Sequence, residues 1–298
     1  MNEPYYSFSA YLKKRFPGRK IRKIPLNAGF PCPNKTAGGC IFCDLYGSGA
    51  IDTFHLTLPE QIKIFSAANP DCSYISYLQA NTNTAAPLDE LRQAYNTALR
   101  GKNIVGLFVG TRPDSIGQEI LPLLDEFNRR TYFSIELGLQ SIHESSLEFL
   151  NRGHTYEQFL KTFANLMALG IAVIVHLIIG LPGESEADIL ATAREMNRLR
   201  PAGVKIHLFH VLKDTPLYEM NQKEPLALMS RQEYINTVAT FLEHLDPEIV
   251  IHRLTGERDQ RIFHAPQWAL KKQQLLAAIR ERMRSQNTFQ GAKYRPSA

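Results

Sequence analysis

The chain of 298 residues is 44% hydrophobic and 21% charged, with a formal net charge of +5. That length suits one large α/β domain with a modest extension, or two small domains, and the apolar fraction excludes wholesale disorder. The longest apolar stretch, Ile171 to Gly180, has His176 inside it and is far too short to span a bilayer, so no membrane partner is expected.

From the N-terminus, Met1-Asn-Glu-Pro-Tyr-Tyr-Ser7 has no basic flank leading into an apolar run, and a cytoplasmic location is expected. Residues 1–22 read as a basic segment, where Lys13, Lys14, Arg15, Arg19, Lys20 and Arg22 crowd together and Lys23 follows. Lys23 to Ala28 alternates in polarity and predicts a first strand. It feeds directly into the loop Cys32-Pro-Asn-Lys-Thr-Ala-Gly-Gly-Cys40-Ile-Phe-Cys43, which holds three of the four cysteines. Pro59 to Ala68 predicts a helix with proline in its first turn. Cys72 to Gln79 is an aromatic and β-branched strand, followed by the polar run Asn81 to Thr84 and a helix from Pro87 to Leu99.

The unit then repeats. Strand Ile104–Val109 leads through the loop Gly110–Asp114 to helix Glu119–Arg129, and strand Tyr132–Leu137 through Gly138–Ser141 to helix His143–Leu150. A further helix, Tyr156–Leu169, precedes strand Ala172–Ile179, the turn Gly180–Gly183 and helix Glu186–Leu199. Val204–Phe209 makes the sixth strand. Alternation at this spacing builds a parallel sheet with right-handed crossovers. The fold expected over 23–225 is α/β, a partial (β/α)6 TIM-like barrel. Over 226–298, helix Ser230–Leu245, strand Ile249–Leu254 and helix Pro266–Met283 form a small C-terminal extension that flanks or closes the sheet. Nearly every strand ends in a polar or glycine-rich loop, the side on which parallel sheets collect ligands.

Three thiols within twelve residues can ligate three irons of a cubane cluster and leave the fourth iron open. The same spacing admits zinc, with Asp44, His55 or Cys72 closing the site. Crowding into one loop is unlike a disulfide framework and fits thiols kept reduced for a metal. The tail adds Lys271, Lys272, Arg280, Arg282, Arg284, Lys293 and Arg295, and two basic ends suit an RNA or DNA backbone as well as a solvated surface.

Several stretches together resemble a radical S-adenosylmethionine enzyme, and more closely the YhcC/YtqA-type family related to the elongator catalytic subunit. They are Tyr5-Tyr-Ser-Phe-Ser-Ala-Tyr-Leu-Lys-Lys-Arg15, Ala28-Gly-Phe-Pro-Cys-Pro-Asn34, Gly110-Thr-Arg-Pro-Asp114, Glu136-Leu-Gly-Leu-Gln-Ser141, Asn151-Arg-Gly-His-Thr155, Gly180-Leu-Pro-Gly183 and Leu254-Thr-Gly256. One departure is that only seven residues separate Cys32 from Cys40, fewer than such relatives tend to carry.

The resemblance implies that Cys32, Cys40 and Cys43 hold a [4Fe-4S] cluster whose fourth iron is chelated by S-adenosyl-L-methionine. One electron then cleaves the sulfonium to methionine and a 5′-deoxyadenosyl radical, drawing on a one-electron reductant such as flavodoxin or ferredoxin. It places Phe42 and Ile178 near the adenine, with His176 in the fifth-strand motif. Gln79 and Asn81 fall toward the methionyl amine, Glu136 and Gln140 toward the ribose hydroxyls or amine, and Arg152 toward the carboxylate. A fold-holding alternative pairs Glu136 with Arg152.

On the substrate side, Arg112 and Asp114 flank Pro113 and either grip substrate or pair with each other. Lys205 and His207 share one face of the sixth strand and are the candidates for catalytic and anion-binding contacts; Lys213 follows nearby. The elongator-like resemblance makes tRNA the expected partner, at a wobble uridine C5 substituent of carboxymethylaminomethyl type, with Lys13, Lys14 and Arg15 on its backbone. The 298 residues leave no room for an added acetyltransferase domain, so remodelling rather than acetyl addition is expected. A radical enzyme acting on a small cofactor precursor or peptide, and a metal-bearing RNA-binding module without catalysis, are the alternatives.

Overall fold

The computed structural model describes residues 3–47, 51–256 and 258–296. Helix α1 (Phe8–Arg15) precedes strand β1 (Ile21–Leu26), helix α2 (Leu58–Ala67), β2 (Ser73–Leu78), α3 (Leu88–Leu99), β3 (Ile104–Thr111) and α4 (Leu121–Arg130). Then come β4 (Tyr132–Gln140), α5 (Glu144–Phe149), α6 (Tyr156–Ala168), β5 (Ala172–Ile179), α7 (Glu186–Leu199) and β6 (Gly203–Leu208). The two-residue β7 (Val211–Leu212), α8 (Pro216–Lys223), α9 (Arg231–His244), β8 (Val250–Arg253), β9 (Phe263–Ala265) and α10 (Lys272–Ser285) complete the chain.

Strands β1-β2-β3-β4-β5-β6-β8 form one seven-stranded sheet in that order, every pair parallel. The sheet curls into a partial barrel. The six strands expected for it are all present, and the segment expected to flank or close the sheet supplies the seventh. The helices that cross over start where local chemistry says they should. Thr57 with Glu60, Thr155 with Gln158, Ser185 with Asp188 and Ser230 with Glu233 each form a reciprocal capping box, satisfying backbone N–H groups that have no intrahelical acceptor.

Two faces of the sheet differ in chemistry. The outer face packs Leu26, Leu78, Val109, Ile135, Val175 and Ile206 against helix residues such as Leu91, Phe127, Phe159, Met196 and Tyr234, in the main core. The inner face holds a smaller cluster of Leu12, Ile75, Tyr77, Phe108 and Ile174, with Phe8, Tyr11 and Phe16 against it. Helix α1 therefore lies across the inner face. Phe8 stacks on the His252 ring with centroids 4.1 Å apart, and Ile251 N donates to Tyr6 O at 2.8 Å along the free edge of β8. This helix was not evident in the sequence, where Lys13, Lys14 and Arg15 gave the segment the look of a solvated arm.

Candidate active site

The loop after β1 is held by a small set of glycines and amides. Gly38 and Gly39 both adopt positive φ, 86° and 72°, which turns the chain back so that Cys40 and Cys43 meet Cys32 across one cavity. Asn34 is buried and donates from Nδ2 to Asn151 O at 2.8 Å, tying the loop to the segment after α5. A Cβ on Gly153 would sit 2.1 Å from Asn34 Oδ1, so the Arg152-Gly153 pair leaves the space this tie needs.

The cavity, about 400 Å³, opens at the carboxyl ends of the strands, and all three cysteines line it together with Phe42, Gln79, Asn81, Arg112, Glu136, Gln140, Arg152, His176, Lys205 and His207. Three donors converge on Cys40 Sγ: Asn34 Nδ2 at 3.4 Å, Arg152 Nη1 at 3.4 Å and Arg112 Nη1 at 3.9 Å. Burial, followed by the nearby Asp44 and Cys40, pushes the Cys43 thiol up to about 12. A bound cation reverses that balance and holds the thiol deprotonated. Cys72, by contrast, is buried in the main core and does not line the cavity.

Arg152 reaches Cys40 by crossing β4. Its Nη2 donates to Gly138 O at 2.8 Å, and a Cβ on Gly138 would lie 2.5 Å from that nitrogen. Its Nε is buried without a hydrogen-bond partner. Arg112, only 3% exposed, donates to Arg152 O at 2.7 Å and pairs with Asp114 at 3.0 Å. His154 closes the same corner, with Nε2 3.1 Å from Gly138 O, and burial draws it down to about 4. Asn81, in the left-handed region at φ 58°, has a buried, unpartnered Oδ1 beside Gly47. A narrow crevice of about 80 Å³ continues between Phe42, Gln140, His176, Ile178 and His207.

Glu136 and Arg152 do not pair. Glu136 is 1% exposed, and its Oε2 accepts from Lys205 Nζ at 2.6 Å and His176 Nε2 at 2.7 Å while its Oε1 accepts from Lys23 Nζ. These two lysines, working against burial, hold the carboxyl well below its usual range. Burial draws Lys205 down to about 7 and lowers Lys23, with Glu136 opposing both shifts. Burial and then Lys205 bring His176 to about 4. Lys205 also donates to Tyr77 Oη at 3.1 Å.

Lys23 departs most from the sequence reading, which grouped it with the surface bases. Ile24 and Leu26 face the helices, so Lys23 points inward, over the Tyr77 and Phe108 rings. That alternation was the available signal. Tyr77, Arg253 and Arg258 also line the cavity and were missed. Asp114, Lys213, Lys13, Lys14 and Arg15 lie outside it. Lys213 is exposed with Nζ 3.4 Å from Arg261 O, and Arg15 lies over the Phe16 and Tyr132 rings.

A cysteine-bearing loop at the carboxyl mouth of a parallel half-barrel, over a cavity of buried charged groups, defines a cofactor-dependent enzyme with an enclosed site. The radical SAM superfamily profile matches residues 32–196 and that of the radical SAM C-terminal domain matches 201–285; the chain belongs to this superfamily and is a radical SAM enzyme. YtqA of Bacillus subtilis is 34% identical over 300 residues, covering 96% of this chain and 92% of its own. The tRNA uridine(34) acetyltransferase of Methanocaldococcus jannaschii is 33% identical over 159 residues, 52% of this chain but only 28% of that protein. Among solved structures, the Elp3 of Methanocaldococcus infernus aligns with TM-score 0.67 at 19% identity, covering 91% of this chain and 64% of that one, a likeness of fold. No helix among the described residues is long and apolar enough to cross a membrane.

Proposed function

We propose that the protein uses S-adenosyl-L-methionine and a [4Fe-4S] cluster to modify the C5 substituent of a tRNA wobble uridine. The convergence of Cys32, Cys40 and Cys43 with the polar strand ends on one cavity carries the reading. The donor set fits the cluster: three soft thiols for three irons, and two guanidiniums beside Cys40 to offset negative charge. Cluster and cosubstrate together supply one-electron cleavage of the sulfonium to methionine and a 5′-deoxyadenosyl radical.

The chain's own residues bind, orient and shield. The unpartnered Arg152 Nε supports assigning it to the cosubstrate carboxylate, and the cavity-lining Gln79 and Asn81 are assigned to its amine. Phe42 and Ile178 wall the crevice assigned to the adenine, with Gln140 at its edge. Glu136 orients Lys205 and His176, both oxygens already accepting, rather than reaching a ribose. Lys205 and His207 face the substrate. Arg112 and Asp114 brace the cysteine loop from behind.

Similarity to a tRNA uridine(34) acetyltransferase supports the tRNA reading. So does a groove of about 690 Å³ between the edges of β1 and β8, lined by Lys13, Arg19, Lys20, Arg22, Arg253 and Lys272 and, among the described residues, by no carboxylate. Lys14 and Arg15 extend that basic surface along α1, and flavodoxin or ferredoxin would supply the electron. The test has two parts. Anaerobic protein with a reconstituted cluster and dithionite should form 5′-deoxyadenosine and methionine. Modified nucleosides in tRNA from cells with and without the gene should differ at the wobble uridine; identical profiles would sink the substrate assignment.

A further inference from the structure

We propose that Lys205, His207 and Arg253 form an oxyanion subsite that takes a carboxylate or phosphate group of the substrate. The inference rests on reading this cavity as the site of the radical reaction.

Lys205 on β6 and Arg253 on β8 are direct register partners, and both line the cavity. Like charges opposite one another on neighbouring strands repel, and inside a barrel that repulsion is screened poorly. Glu136 does not cancel it, because that one carboxylate already serves two lysines, Lys23 as well as Lys205. The Arg253 side chain has no hydrogen-bond or ion-pair partner among the described residues. His207 lies two residues beyond Lys205 on the same face of β6, and its Nε2 is buried and unpartnered. Arg253 and an idle imidazole on adjacent strands therefore lack an acceptor, and Lys205 shares the one it has, Glu136, with Lys23 and His176. An incoming oxyanion supplies one: it bridges the Lys205–Arg253 pair and accepts from His207 through the neutral ring's N–H. On the reading above Arg152 serves the cosubstrate's carboxylate, which leaves this second set of donors for a different molecule.

The experiment uses the full chain, cluster reconstituted and saturated with S-adenosyl-L-methionine so that the first carboxylate site is filled. Orthophosphate and acetate are titrated separately by calorimetry. At least one should bind saturably; preference for phosphate identifies a phosphate group in the substrate, and preference for acetate a carboxylate. Arg253→Gln should weaken binding at least tenfold, while Arg253→Lys retains most of it and shows that the loss is one of charge rather than folding. Arg261→Gln, a surface arginine paired with Asp52 and Asp259, should bind as wild type. Absence of saturable binding, unchanged affinity in Arg253→Gln, or an equal loss in Arg261→Gln overturns the subsite. Anion binding without 5′-deoxyadenosine formation on the same wild-type sample would instead overturn the radical reading and leave the subsite standing.

Discussion

Replacing Glu136 by Gln keeps the side chain's shape and removes the carboxylate that Lys23 and Lys205 share. Taking one partner from a buried ion pair costs about 3–5 kcal/mol, because the remaining charge stays in a poorly polarisable interior. A lysine can limit the loss by giving up its proton. Against an ordinary value of 10.5, that costs about 1.4 kcal/mol per pH unit, or ~5 kcal/mol at pH 7 and ~1.4 kcal/mol at pH 9.5. The sign follows from burial. Both lysines titrate lower in the folded state than unfolded; for Lys205 the unfolded chain therefore binds more protons between about pH 7 and 10.5, Lys23 acts in the same direction, and stability rises with pH across that window. Losing Glu136 lowers the folded values further and carries the rise to lower pH. Glu136→Gln should therefore destabilise by about 3–5 kcal/mol at pH 7 and by about 1–2 kcal/mol near pH 9.5. Anaerobic urea unfolding followed by far-UV circular dichroism reads both values. Adding Lys205→Met should recover part of the loss, since an apolar side chain replaces an unpaired buried cation. A cost under about 1 kcal/mol at pH 7, a cost that grows with pH, or no recovery in the double variant would refute the reasoning.

Cys32→Ala, Cys40→Ala and Cys43→Ala should each abolish iron–sulfur absorbance and 5′-deoxyadenosine formation, whereas Cys72→Ala should keep both and cost at most about 2 kcal/mol of stability. Arg152→Met removes a cationic donor from Cys40 and should make the cluster harder to reduce, with a midpoint lower by about 60 mV, a tenfold shift for one electron; redox titration by electron paramagnetic resonance measures it. His154 and His176 are both drawn by burial to about 4, below their ordinary 6.5. Their contribution is complete above about pH 6.5 and is lost as pH falls toward 4, so urea midpoints should drop across that window and His154→Asn should flatten the drop. Neutralising Lys13, Lys14 and Arg15 together should weaken tRNA binding and make its salt dependence shallower by about 2–3 in log–log slope; filter binding at several salt concentrations would expose an unchanged slope.

The alternation of strands and helices and the cysteine loop were legible because each is written locally. Short apolar and β-branched runs between helical segments, and three thiols around a glycine pair, need no distant partner to be recognised. Helix α1 escaped because its apolar Phe8 and Leu12 stand among polar and basic neighbours. The seventh strand was visible, but its seat beside β6 was not.

The sequence alone thus determined that a three-thiol loop follows the first strand of a parallel half-barrel, since both are properties of neighbouring residues. Only the tertiary structure decided which charges face one another. Curling the sheet turned Lys23, Glu136 and Lys205 into one buried cluster and set Arg253 beside Lys205, from strands far apart in the chain. Lys23 thereby left the basic surface for the interior, and Glu136 found two lysines, not the Arg152 that its fold-holding alternative had named. Side-chain alternation names two faces for each strand, but closure across the sheet decides which polar groups share the enclosed one.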